Sequence, residues 1–179
     1  MTEQEMLGII ARQRQYYATG ATRSRKARRA ALLSLRNGIR KYEKELCDAL
    51  KADLGKSATE SYMCEIGLTH SEITWMLSHL RSLMRERWVP TPLAHFASSS
   101  YQSPSPYGTV LVVSPWNYPV LLTLDPLVDA LAAGNTVVVK PSAYAPHCAD
   151  VMRRMIEECF APELVAVVTG GRAANQALL

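Results

Sequence analysis

Apolar positions recur at threes and fours through the first ninety residues, and that spacing predicts helices. Leu32, Leu35, Ile39, Tyr42, Leu46 and Leu50 fall on one helical stripe. The N-terminal stretch MTEQEMLGIIARQRQ is amphipathic as well. Asn37-Gly38 interrupts the stripe. A glycine inside a helix costs about 1 kcal/mol against alanine, so a joint between two helices is expected there. ADLGKS (52–57) ends the run, with Gly55 at the expected stop. A further helix carries Tyr62, Ile66, Ile73, Leu77, Leu80 and Met84 on its buried face. WVPTPL (88–93) stops it, because proline lacks the donor N–H and restricts its predecessor. Residues 94–107, AHFASSSYQSPSPY, alternate loosely around two prolines, which suits an extended edge segment or arm.

From Gly108 the pattern changes. TVLVVS (109–114) is a continuous β-branched run, as expected of a strand covered on both faces. VLLTLDPLVDALAAG (120–134) then reads as a helix closing on Gly134, and NTVVVKPS (135–142) as a second buried strand. APHCADVMRRMIEECF (145–160) is a second helix, with Pro146 near its start, where a missing N–H does no harm. ELVAVVTGG (163–171) is a third strand, and RAANQALL resembles the first turns of another helix. The fold class is therefore α/β. N-terminal helices (1–93) and an arm (94–107) precede a βαβαβ unit (108–179), half of a doubly wound parallel sheet.

Composition narrows the function. The chain has 179 residues, 48% hydrophobic and 20% charged, with a net charge of +4. That balance is ordinary for a globular domain and too weakly basic to imply nucleic acid. RSRKARR (23–29) holds five cations in seven residues, but no aromatic residue is interleaved, so a solvated helix face is expected. No apolar run is long enough to span a bilayer, and the N-terminus has no signal-peptide core. Cys47, Cys64, Cys148 and Cys159 are widely spread, which reads as reduced thiols in a cytoplasmic protein. The four histidines show no metal-binding spacing.

Candidate chemistry sits at the strand ends. SPWNYP (114–119) follows the first strand of the parallel sheet. It reads either as a stiff strand-to-helix turn or as a preorganised amide donor, Asn117, held by two prolines for a developing negative oxygen. Lys140 ends the next strand, either as a residue whose stem is buried or as an ammonium that, with Ser142, bonds the ribose of an adenosine. Gly170 and Gly171 form either a strand-end turn or a close approach to an adenine. No G-x-G-x-x-G occurs, so the common pyrophosphate fingerprint is missing. Cys148 opens a helix, where a thiol pKa can fall, but that helix lies on the face of the sheet.

PYGTVLVVSPWNYPVLLTLDPLVDALAAGNTVVVKPS resembles the core of the aldehyde dehydrogenase superfamily, and ADLGKS, EIG and WVPTPL resemble its shorter, class 3-like members. The resemblance covers essentially the whole chain and implies the N-terminal portion of that fold. It also implies site residues. Asn117 falls on the oxyanion-hole asparagine, and Lys140 on the adenosine-ribose lysine, with Ser142 nearby. Ser114, Pro115 and Trp116 fall along the nicotinamide-side channel. Tyr118 and Leu122 fall on the aldehyde tunnel wall, and Gly170 and Gly171 beside the adenine. The implied reaction oxidises an aldehyde to a carboxylic acid through a cysteine thiohemiacetal, with hydride passing to NAD or NADP.

Two departures follow. The family pattern is KPSE, whose glutamate accepts hydrogen bonds from the adenosine ribose; this chain has Ala143, which implies a shift from NAD toward NADP. The nucleophilic cysteine and the water-activating glutamate fall beyond residue 179. The expectation is therefore no turnover by this chain alone, weak or absent cofactor binding, and a homo-oligomer or a complementary fragment as partner. The competing expectation is a non-catalytic, oligomerising remnant of the fold, whose exposed edges pair with other chains. Neither a nucleic-acid nor a membrane partner is expected.

Overall fold

The computed structural model describes residues 1–179. Helix α1 (Glu3–Ala18) opens on a reciprocal cap: the Glu5 N–H donates to Thr2 Oγ1 and the Thr2 N–H to the Glu5 carboxylate. Helix α2 (Arg25–Leu54) starts on Ser24, whose Oγ accepts from the Ala27 N–H, and ends on Gly55 at φ +71°. A short helix α3 (Ala58–Ser61), a π-helical turn (Tyr62–Ile66) and α4 (Gly67–Leu83) follow as one bent rod. Strands β1 (Arg87–Val89) and β2 (Ser100–Gln102) pair antiparallel, with Trp88 edge-on to Tyr101. Then come β3 (Thr109–Val113), α5 (Leu121–Ala133), β4 (Thr136–Lys140), α6 (Pro146–Cys159), β5 (Val165–Val167) and α7 (Arg172–Leu178).

The three later strands form a parallel sheet in the order β3-β4-β5, with Val113 opposite Lys140 and Val139 opposite Val167. Alternation along the strands gives the sheet two apolar faces. Val112, Val137, Val139, Val165 and Val167 belong to the larger core, with α2, α4, α5 and α6. Val138, Ala166 and Val168 pack with Met6 and Ile9 of α1 and Ala174 of α7 on the other face. Gln13 pins α1 there, donating through Nε2 to the carbonyls of Val137 (2.8 Å) and Pro162 (3.1 Å).

Four expectations need correction. First, α2 runs straight through Asn37-Gly38. Gly38 is a packing residue rather than a joint: a Cβ there would collide with Cys159 Sγ, so the glycine lets α2 and α6 approach closely. Second, Tyr62 leaves the stripe that it shares by spacing with Ile66, Ile73 and Leu80. It is 47% exposed, because the π-turn rotates it off the register of the α-helix that follows. Third, β3 is covered on both faces, with Val110 and Val112 on the larger core and Leu111 on the smaller one, but it is the edge strand and not the fully buried strand expected: Val112 is its one buried residue, whereas all five residues of β4 are buried. Fourth, Arg28 leaves the solvated face of RSRKARR. It is buried and donates through Nη1 to the Ala132 carbonyl at the end of α5.

The arm is also less extended than its prolines suggest. Leu93–His95 form one 3₁₀ turn between β1 and β2. No helix is long and apolar enough to cross a membrane.

Candidate functional site

The parallel sheet sets the place of the site. In open α/β sheets the carboxyl ends of the strands border the ligand crevice. At that end the register puts Val113 beside Lys140, and the Ser114 N–H donates to the Lys140 carbonyl at 3.2 Å. One backbone hydrogen bond thus joins the start of SPWNYP to the start of KPS. Lys140 is 3% exposed, and its Nζ donates to the Gly170 carbonyl at 3.0 Å. Burial pushes its ammonium pKa down. Lys140 therefore links all three strand ends.

Gly170 sits at φ +149°, and a Cβ there would press on Ala174 Cβ at the start of α7. Glycine is required at this turn for both reasons. Ser142 is buried, and its Oγ accepts from the Tyr144 N–H at 3.2 Å. Ser142, Ala143, Asp150, Arg153, Thr169 and Gly170 are among the residues that line a cleft of about 320 Å³. Ala143 and Gly171 are exposed. A second cleft of about 320 Å³ lies under α2, where Arg28 and Asn135 line it. Asn135 immediately precedes β4, so that cleft is at the wrong end of the sheet for the strand-end chemistry.

On the other side of Ser114 the turn opens outward. Pro115, Trp116, Asn117 and Tyr118 are exposed, and Leu122 stands on the first turn of α5, 38% exposed. Ser114 is buried and its Oγ has no hydrogen-bond partner. The structure thus brings Ser114, Lys140, Ser142, Ala143 and Gly170 to one sheet end, with Asn117, Tyr118 and Leu122 on the adjoining turn and helix. The cleft lined by Ser142, Ala143 and Gly170, with Lys140 bonded to the Gly170 carbonyl, offers room and polar groups for the adenosine ribose of a dinucleotide. Lys140, Ser142 and the backbone near Gly170 are the groups that would hold it.

Spacing and motif reading did not identify the groups that hold this turn. Glu65 is fully buried on the π-turn, and its Oε2 accepts from the N–H groups of Val120 (2.8 Å) and Leu121 (3.1 Å). Its Oε1 meets Lys56 Nζ at 2.5 Å. Lys56 also approaches the Asn117 carbonyl at 3.4 Å and sits 4.0 Å from the centre of the Tyr118 ring. Lys56 is forced inward by its neighbours: Gly55 closes α2 and Ser57 caps α3, which leaves one residue between a helix stop and a helix start. A second acid works alike. Asp53 accepts from the N–H groups of His147 (3.2 Å) and Cys148 (2.8 Å) at the start of α6. Burial alone would raise its carboxyl pKa, but these donors and the His147 ring together bring it below the ordinary value. A signal for both was present in the sequence. Val120 and Ala145 stand at helix starts without a capping side chain, and a helix start in the interior needs acceptors from elsewhere.

Cys148 departs from the low-pKa thiol that a helix start allows. Its side chain is fully buried, Asp53 lies beside it, and its thiol pKa is pushed strongly up. Burial also raises the pKa of Cys47 and of Cys159. No group of three or more histidine, cysteine or acidic side chains is placed to hold a metal ion.

Comparison with known proteins agrees with the motifs. The family model described as the aldehyde dehydrogenase family matches residues 1–179. The chain is 38% identical to the 4,4'-diaponeurosporen-aldehyde dehydrogenase of Staphylococcus aureus, over 92% of this chain and 36% of that protein. It is 39% identical to aldehyde dehydrogenase family 3 member B1 of Homo sapiens, over 90% of this chain and 35% of that protein. A solved structure, the substrate-bound state of Staphylococcus aureus AldH, superposes with a TM-score of 0.94 at 36% identity, covering 97% of this chain and 38% of that one. The chain thus spans little more than a third of the length of the proteins it matches. By its strand-end motifs, its fold and these relatives, the chain belongs to the aldehyde dehydrogenase family.

Proposed function

We propose that this chain supplies the oxyanion-stabilising turn and the adenosine-side half of the cofactor site of an NAD(P)-dependent aldehyde dehydrogenase. One observation carries the reading: the Ser114–Lys140 hydrogen bond sets the Asn117 turn and the KPS turn side by side at the carboxyl ends of adjacent parallel strands. In this reading Asn117 donates its side-chain amide to the oxygen that gains charge as a thiol adds to the aldehyde. Tyr118 and Leu122 give the aldehyde an apolar wall, and Ser114, Pro115 and Trp116 border the nicotinamide side. Lys140 and Ser142 bond the adenosine ribose, and the backbone at Gly170 and Gly171 faces the adenine. The cofactor, when bound, accepts the hydride. Relatives named for aldehyde oxidation support the substrate class.

The 179-residue polypeptide by itself is expected to produce no NADH or NADPH from aldehydes. Burial raises the pKa of three of its four thiols, Cys47, Cys148 and Cys159, away from the thiolate the reaction needs. Spectrophotometric assay of the purified chain checks this. Turnover that disappears in Asn117→Ala would overturn it.

Ala143 sets the expected cofactor preference. The exposed Ala143 offers no carboxylate to ribose hydroxyls and no repulsion to a 2′-phosphate, so NADP is favoured over NAD. Ala143→Glu should shift the ratio of the two affinities toward NAD by about tenfold, roughly one charge-assisted hydrogen bond. NMR titration with each cofactor measures the ratio, and an unchanged ratio would count against the assignment.

A homo-oligomer or a complementary polypeptide is the partner this surface suits. Trp88, Leu93, Phe96 and Tyr107 on and beside the arm are between 73% and 97% exposed, and β3 presents an unpaired edge. All four cysteines are free, which supports a reducing compartment, the cytoplasm.

A further inference from the structure

We propose that Lys56 and Glu65 are positioning residues for Asn117: their ion pair fixes the turn 114–119 from behind, so that the oxyanion donor is aimed before any ligand arrives. The proposal rests on the reading of Asn117 as that donor. Three restraints act on the six-residue turn. At its start the Ser114 N–H is tied to the Lys140 carbonyl. In its middle Lys56 bonds the Asn117 carbonyl and lies against the Tyr118 ring. At its end Glu65 accepts from the Val120 and Leu121 N–H groups. Two of the three come from this single pair, whose bonds to the turn and to the helix start behind it span 55 or more residues of the chain.

The chemistry suits the task. Both side chains are almost wholly withdrawn from water, 9% and 0% exposed. Replacing a buried ion pair by apolar groups of the same volume is often neutral for stability, so stability alone gives no reason for one here. A carboxylate with two oxygens can instead take an ammonium on one and a helix start on the other, which apolar groups cannot. Glu65 thereby joins the start of α5, where the helix dipole favours an anion, to the cation that holds Asn117. The π-turn is what aims Glu65 there, one residue out of step with the helix beyond it. With Lys56 against one face of the Tyr118 ring, that ring is held as a fixed wall. A preorganised donor of this kind needs such a supporting layer.

Amide hydrogen exchange by NMR on the 179-residue chain tests the proposal. In the double variant Lys56→Met/Glu65→Gln, which strands no charge, the Val120 and Leu121 amides should exchange at least about tenfold faster, while the Val137, Val138 and Val139 amides of β4 keep their rates, because only the turn has opened. Glu65→Gln alone leaves the Lys56 ammonium unpaired and should show the same local loss together with a global loss of stability that reaches β4. The ε-methylene protons of Lys56, shifted by the Tyr118 ring current, should move toward random-coil values in Glu65→Gln. In the double variant the Asn117 side-chain amide resonances should move as well; there, unchanged exchange at Val120 and Leu121, a rise of equal size at β4, or an Asn117 side-chain amide left at its wild-type shifts would overturn the proposal. Neither readout uses cofactor or aldehyde, so failure here would leave the cofactor-site reading intact, and the converse also holds.

Discussion

Glu65→Leu should lower the unfolding free energy by about 3–5 kcal/mol, the range found when one partner of a buried ion pair is removed. The variant leaves the Lys56 ammonium in the interior with no anion. It also takes the acceptor from two N–H groups at the start of α5, where Val120 has no capping side chain to replace it. Lys56→Met strands the Glu65 carboxylate instead, but that carboxylate keeps two backbone donors, so the loss should be smaller. Lys56→Met/Glu65→Leu should recover the part of the loss that comes from the stranded ammonium, but not the part from the two N–H groups left without an acceptor. Urea unfolding of the four proteins closes this double-mutant cycle. A loss in the double variant equal to the sum of the two single losses would show that the pair is not coupled.

Gly38→Val should cost about 2–3 kcal/mol, the upper part of the range for overpacking a tight core. The new Cβ would enter the space of Cys159 Sγ and press on Met155, on the α6 surface that packs against α2. Ile39, Leu46, Met152 and Met155 are fully buried and fix the separation of the two helices. Gly38→Ala is the milder case. Alanine gains about 1 kcal/mol of helix propensity, which offsets part of the collision. Adding Cys159→Gly to Gly38→Val should recover stability relative to the sum of the two single changes. Strict additivity in urea unfolding would mean that the two side chains do not meet.

These two sites mark where reading the sequence falls short. Gly38 looks like a helix breaker because propensity is a local property, whereas its role comes from Met155 and Cys159, 117 and 121 residues further along the chain. Lys56 and Glu65 lie inside ADLGKS and EIG, but nothing local to either segment shows that the two side chains meet each other and the start of α5. A lysine in a helix-to-helix turn and a glutamate in a helix resemble surface residues until α5 is packed against them. Tyr62 shows the same limit, since a π-turn breaks the threes-and-fours rule without any glycine or proline to announce it.

What was legible had a local physical cause. The β-branched runs 109–114, 135–142 and 163–171 each contain an observed strand, and Gly55 and Gly134 both close helices at positive φ. Strand alternating with helix led directly to the parallel sheet, and the parallel sheet told which end of each strand to inspect. The positions of Asn117 and Lys140 at one end of the sheet were therefore expected from order alone. The edge position of β3 was not, because the same apolar run serves a central strand equally well.

The most direct test of the account is an NMR titration of the isotope-labelled 179-residue chain with NADP. Binding should be weak, with a dissociation constant on the order of 1 mM, because the chain has no glycine-rich pyrophosphate loop. Shift changes should centre on Ser142, Ala143, Gly170 and Gly171, and Lys140→Met should remove them. Cofactor-induced changes that spare those residues, or that centre on the Arg28 cleft at the opposite end of the sheet, would contradict the account.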